Sequence, residues 1–131
     1  MQEKSPVIPK NSEVEIMIKR NEEMKREIKV NMRGGDGQVV VTKMLDDGEF
    51  KGKSRLMATL TLEPGSSIGE HIHENEEEIF YVIEGEAQYL DGGEWKTMKK
   101  GDSCICLGGQ SHSIANRGSE TLVVAAVILT Y

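Results

Sequence analysis

The sequence predicts an all-β barrel of two packed sheets, jelly-roll in type. Apolar and polar side chains alternate in short runs, clusters of glycine, proline, aspartate and asparagine punctuate those runs at regular spacing, and helical periodicity is weak. About nine or ten short strands follow from this pattern, the number a small closed β architecture uses.

Taken in order, residues 1–12 carry Pro6, Pro9 and several charges and read as a flexible arm, with the barrel spanning residues 13–131. Val14 to Ile18 alternates apolar and charged residues, as a half-exposed strand does. Asn21 to Glu27 has charges at helical spacing and predicts a single turn before Ile28-Lys29-Val30 resumes the alternation. Gly34, Gly35 and Gly37 then bend the chain ahead of a strand at Gln38 to Thr42, and Leu45-Asp46-Asp47-Gly48 reads as a turn.

Arg55 to Leu62 alternates until Pro64-Gly65, where a residue without an N–H stops the ladder. Ile79 to Ile83 is a further strand. Glu86 to Leu90 and Glu94 to Met98 flank Asp91-Gly92-Gly93, a hairpin turn in which glycine supplies positive φ. Asp102 to Cys106, Ser111 to Ala115 and Leu122 to Ile128 complete the series.

The chain's 131 residues fit one domain, large enough to bury roughly two-thirds of its unfolded surface. Cys104 and Cys106 cannot build a disulfide framework, and two residues apart on a strand they are badly placed to bridge each other. The N-terminus lacks the apolar run of a signal peptide, and Leu122 to Leu129 is far short of the ~20 residues of a membrane helix. A cytoplasmic chain without membrane partners is the expectation. A net charge of −6 argues against nucleic acid, so Arg33-Gly34-Gly35 reads as a bend and not as an RNA-binding signature.

All three histidines fall in one pattern. His71 and His73, two apart on extended chain, project to the same side, and Glu78 follows a polar stretch that could loop its carboxylate back beside them. His112 must arrive from a separate strand. Three imidazoles and a carboxylate suit a divalent transition metal, whether iron, manganese, nickel, cobalt, zinc or copper, and four protein ligands leave positions open on an ion that accepts six.

The spacing around these residues resembles a known family. Gly65, five residues, His71, one residue, His73, four residues, Glu78, six residues and Gly85 is similar to the first motif of the cupins. Gly101, five residues, Leu107, one residue, Gly109, two residues, His112, three residues and Asn116 is similar to the second, with Leu107 where the family usually has proline. The fifteen residues between Gly85 and Gly101 are typical of small single-domain bacterial members. The resemblance implies a cupin barrel with His71, His73, Glu78 and His112 as metal ligands, and a homodimer, with Val14 to Ile18 adding to a partner's sheet. Asn31 to Gly37 also resembles a segment of small cupins related to oxalate-binding and oxalate-degrading members.

Around the ligands, Glu74, Glu76 and Glu77 read as a solvated loop. By parity with Glu78, Phe80 points inward and Tyr81 outward. Cys104 and Cys106 share one face of their strand, as do Met57, Thr59 and Thr61 of an earlier one; if both faces line the barrel, the pocket is small and mixed. Arg33 and Arg55 are candidates for gripping a substrate carboxylate, or for surface ion pairs. Two functions remain open. One is a metal-dependent enzyme acting on a small oxygen-rich metabolite, of dioxygenase, decarboxylase, isomerase or lyase type. The other is a non-catalytic metal-containing module that binds a small ligand.

Overall fold

The computed structural model describes residues 18–131. The expected arm at residues 1–12 and all but the last residue of the expected strand at Val14 to Ile18 lie outside them. Among the described residues no helix is long and apolar enough to cross a membrane.

Among the described residues ten strands form in chain order: β1 (Lys25–Val30), β2 (Gln38–Leu45), β3 (Ser54–Leu62), β4 (Ser67–Ile72), β5 (Glu76–Glu84), β6 (Glu86–Asp91), β7 (Glu94–Lys99), β8 (Ser103–Cys106), β9 (Ser111–Ala115) and β10 (Leu122–Thr130). They build a six-stranded sheet in the order β1-β2-β3-β10-β5-β8 and a four-stranded sheet in the order β4-β9-β6-β7. Every pairing between strands is antiparallel. The turn expected over Asn21 to Glu27 is a 3-10 turn at Asn21–Glu23, and β1 starts earlier than the alternation alone suggested. The glycine-rich bend holds a second 3-10 turn, Met32–Gly34.

Alternation decides which side chains meet. Leu122, Val124, Ala126 and Ile128 of β10 point inward and are buried, and they pack with Leu60, Leu62, Phe80 and Val82 of the same sheet. Across the core lie Ile68, Ala87, Tyr89, Met98 and Ile114 of the other sheet. Each fully buried aliphatic or aromatic side chain contributes about 1.5–3 kcal/mol relative to exposure.

The same parity corrects one expectation. Thr59 pairs with Ala125, Ala125 with Tyr81 and Tyr81 with Ser103, whereas Cys104 and Cys106 pair with the inward Phe80 and Glu78. Met57, Thr59 and Thr61 therefore lie on the outer face of the six-stranded sheet, and the interior is lined from β3 by Ala58, Leu60 and Leu62. Identical spacing on two strands does not fix their relative phase, which is set by register.

The motif residues between the ligands have backbone duties. Gly85 has φ 81°, and a side chain there would strike the Thr121 carbonyl. Asn116, 1% exposed, donates through Nδ2 to the carbonyls of Leu62 and Glu120, while its Oδ1 accepts from the Gly118 N–H. Leu107 opens a turn in which the Gln110 N–H donates to its carbonyl at 3.0 Å. Its own N–H, which proline would lack, donates to Gln110 Oε1, also at 3.0 Å.

Candidate metal centre

His71, His73, Glu78 and His112, the four residues the sequence singles out, are brought together inside the barrel. One potential ligand atom from each lies within 4.8 Å of all the others. His71 on β4 is the register partner of His112 on β9, so the two imidazoles stand side by side on one sheet. His73 sits one residue beyond β4, where its N–H donates to the Gln110 carbonyl at 3.2 Å and its carbonyl accepts from the Gly109 N–H at 2.6 Å. Glu78 reaches in from β5 on the opposite sheet, on the same face as Phe80 and Val82.

The three rings meet edge to face, with centroids 4.8 to 4.9 Å apart. His73 Nε2 is 3.0 Å from His112 Nε2, and Glu78 Oε1 is 3.0 Å from the first and 3.2 Å from the second. His73, Glu78 and His112 are buried at 2%, 4% and 1% exposure, and His71 is half-buried, on the open side of the cluster.

Each ring is held by its other nitrogen. Nδ1 of His71 lies 2.7 Å from the Gly69 carbonyl, Nδ1 of His73 2.6 Å from Glu76 Oε2, and Nδ1 of His112 2.8 Å from the Tyr89 hydroxyl. In the tautomer with Nδ1 protonated, each ring donates outward and turns the Nε2 lone pair toward the centre. Phe80 closes the wall behind His112, stacked at 5.1 Å between centroids with 7° between planes.

Burial opposes charge on Glu78, but hydrogen bonds from His112 and His73 outweigh it and hold the carboxyl below its usual range. Hydrogen bonding to Glu78 raises His73 above the ordinary histidine value against the pull of burial, and Glu76 adds to the rise. His71 is lowered, chiefly by burial. A buried carboxylate among three imidazoles favours a positive charge at their centre, which a proton or a divalent cation supplies.

Two residues of the site escaped the sequence reading. Glu76 is not part of a solvated loop: it begins β5, hydrogen-bonds His73, and takes a bidentate grip from Arg55 at 2.6 and 2.7 Å. That contact resolves Arg55 as an ion-pair partner, and it leads the causes that hold the Glu76 carboxyl at about 2. Tyr89 lies in the strand expected over Glu86 to Leu90, and its inward parity with Ala87 is the signal that places it beside the cluster. Phe80 points inward and Tyr81 outward, as expected. Arg33 stands in the Met32–Gly34 turn with φ 54° and is exposed.

A cavity of about 240 Å³ opens at this end of the barrel, lined by Tyr89, Asp91, Cys106, Gln110 and Ser111 among others. None of the four clustered residues lines it; it is linked to them through Tyr89, whose hydroxyl is 2.8 Å from His112 Nδ1, and through Cys106, the register partner of Glu78. Its size suits a small metabolite.

The family model described as "Cupin domain" matches residues 58–128. The chain belongs to the cupin family. This cupin is 42% identical over 113 residues to an oxalate-binding protein of Thermotoga maritima, a match covering 86% of this chain and 93% of that one. Among solved structures it is similar to a protein from Thermotoga maritima described as a predicted oxalate decarboxylase, with 42% identity, a TM-score of 0.83, and 88% of this chain and 100% of that one covered. A double-stranded β-helix protein of Klebsiella pneumoniae shares 27% identity at a TM-score of 0.62, covering 76% of this chain and 83% of that one.

Proposed function

We propose that this cupin holds a divalent transition metal on His71, His73, Glu78 and His112 and there binds a small, oxygen-rich carboxylate of the oxalate class. The observation that carries this reading is the convergence of three imidazoles, each anchored through Nδ1, on one buried carboxylate. Neighbouring ligands on a six-coordinate ion with bonds of about 2.1 Å lie about 3.0 Å apart, which the contacts of 3.0, 3.0 and 3.2 Å among His73, His112 and Glu78 fit. Imidazole with carboxylate is a borderline donor set, open to iron, manganese, nickel, cobalt, zinc or copper. The names of the Thermotoga maritima relatives support oxalate, or a close chemical relative, as the ligand.

When bound, the metal would supply a Lewis acid for a carboxylate or carbonyl oxygen. The chain's own groups orient and shelter. Phe80 and the buried core exclude water from the cluster's inner wall, His71 stands at its open side, and the cavity beside Asp91 and Gln110 admits a small molecule. Metal-dependent catalysis, of oxidoreductase, lyase or isomerase type, is the first reading of the site.

The second reading, a metal-containing binding module, is favoured by one specific observation. The acid and base candidates nearest the cluster are already engaged, Glu76 by Arg55 and His73, and Tyr89 by His112, while burial lifts the Cys104 and Cys106 thiols to about 11. Under either reading the free thiols suit a reducing, cytoplasmic setting, and the oxalate-binding relative supports a small molecule as the partner.

Elemental analysis of untagged protein purified without chelator, beside a His71→Ala, His73→Ala double variant, tests the metal. Near-stoichiometric metal that the variant lacks is the expected result; wild type without metal, and unable to take it up on reconstitution, overturns the proposal. Calorimetric titration of oxalate into loaded and stripped protein then tests the ligand, with binding expected only when loaded. Turnover of oxalate that disappears in His112→Ala would select the enzyme reading, and tight binding without turnover the second.

A further inference from the structure

Cys104 and Cys106 serve neither the histidine cluster nor a disulfide. Both are free thiols, and neither belongs to the group formed by His71, His73, Glu78 and His112. They stand on β8, the edge strand of the six-stranded sheet, with the exposed Ile105 between them turned outward. Their register partners are the inward Phe80 and Glu78, so both thiols point into the barrel from one face of the strand. Each also borders open space. Cys104 is half-buried and lines a cavity of about 460 Å³, Cys106 lines the cavity of about 240 Å³ described above, and Tyr89, Asp91 and Ile105 border both.

We propose that Cys104 and Cys106 form a second metal site, a two-thiolate clip for one soft monovalent ion of the copper(I) class. Two residues apart on a strand that rises about 3.3 Å per residue, their Cα atoms are about 6.6 Å apart with the side chains side by side. That spacing lies at the wide end for a disulfide, but it suits an ion held between the sulfurs. With metal–thiolate bonds of about 2.3 Å, as in zinc sites, two opposed sulfurs stand about 4.6 Å apart, a separation the thiols reach by leaning toward each other. Thiolates select copper(I), whereas the imidazole and carboxylate cluster suits divalent ions. Zinc takes four ligands, two more than the clip supplies, and copper(I) is satisfied by two. On binding, the ion displaces one proton from each thiol: two S–H bonds break, two copper–sulfur bonds form, both protons leave to solvent, and no oxidation state changes. Burial that keeps the thiols protonated therefore does not close the site, and Cys106 gives up only its contact with the Gln110 carbonyl at 3.5 Å.

The test is an anaerobic titration of the full chain with copper(I) against a coloured copper(I) chelator, for wild type, Cys104→Ser, Cys106→Ser and the His71→Ala, His73→Ala double variant. Wild type and the histidine variant should each hold one tight ion per chain, with a thiolate-to-copper charge-transfer band in the ultraviolet. Each serine variant should lose about 100-fold or more in affinity, because a second tethered ligand adds at least that much to the first. Cys104 is half-buried, so its serine variant should fold even where Cys106→Ser does not, and circular dichroism checks each. X-ray absorption at the copper edge needs no variant and should count two sulfur neighbours in wild type. A wild type that cannot compete with the chelator overturns the proposal. So does a serine variant that binds as wild type does, which would make the thiols independent, and so does copper lost in the histidine variant or surrounded by nitrogen, which would assign it to the imidazoles.

Discussion

Glu76 Oε2 stands 2.6 Å from His73 Nδ1, and Arg55 grips the same carboxylate through two bonds of 2.6 and 2.7 Å. A half-exposed guanidinium thus steadies a carboxylate that orients a buried imidazole. Anchors of this kind typically sustain 10- to 100-fold in metal affinity. Glu76→Gln keeps the shape but removes the anion, and metal binding should weaken by about that range in a chelator-competition titration. Arg55→Gln should weaken it less, because Glu76 remains. Unchanged affinity in Glu76→Gln would reduce the contact to a surface ion pair with no bearing on the site.

Phe80 is 1% exposed, stacks on His112 and meets Tyr89 edge to face at 6.1 Å. It supports the core and fixes one wall of the cluster at once. Phe80→Ala should destabilise the fold by about 3–5 kcal/mol, with a markedly smaller loss for Phe80→Leu, which keeps most of the volume. Urea denaturation of stripped protein measures both. A cost for Phe80→Ala below that of an ordinary surface substitution would show that the cavity collapses and that the stack contributes little.

Gly69 joins the glycine-rich bend to the cluster. Its carbonyl lies 2.7 Å from His71 Nδ1, and a Cβ at this position would collide with the Arg33 carbonyl. Gly35 makes the reciprocal approach to the backbone of Ser67. Gly69→Ala must therefore push the Met32–Gly34 turn away or tilt β4, at about 1–3 kcal/mol, and should loosen His71 as it does so. The expected outcome is a lower melting temperature together with weaker metal binding. A variant that melts lower yet binds metal as wild type does would separate the bend from the site.

The sequence made the barrel and the four clustered residues legible because both depend on local regularities. Strand parity set His71 and His73 on one side and made Phe80 an interior residue, and the motif glycines marked turns that the structure does use. What stayed hidden depends on register between distant strands. Met57, Thr59 and Thr61 looked equivalent to Cys104 and Cys106 until the pairing through β10 and β5 gave them opposite faces. Glu76 was concealed within a run of glutamates, a composition that usually marks solvent, and only the three-dimensional approach of Arg55 and His73 distinguishes it.

Burial raises the thiols of Cys104 and Cys106 from 9.0 to about 11 each. An acid whose pKa is raised by folding keeps its proton in the native state while the unfolded chain releases it. Between pH 9 and 11 the native state therefore binds more protons, and stability must fall as pH rises; below pH 9 the contribution is fully present. The denaturation midpoint of wild type should drop more between pH 8 and pH 10.5 than that of a Cys104→Ala, Cys106→Ala variant, in which other alkaline titrations persist but this one is gone. The same burial makes the thiols poor nucleophiles, so alkylation at pH 8 should be slow in native protein and rapid in denaturant. Parallel pH profiles for the two proteins, or prompt labelling of both native thiols, would mean that the cysteines are more open to water than their packing beside Tyr89 and Glu78 implies.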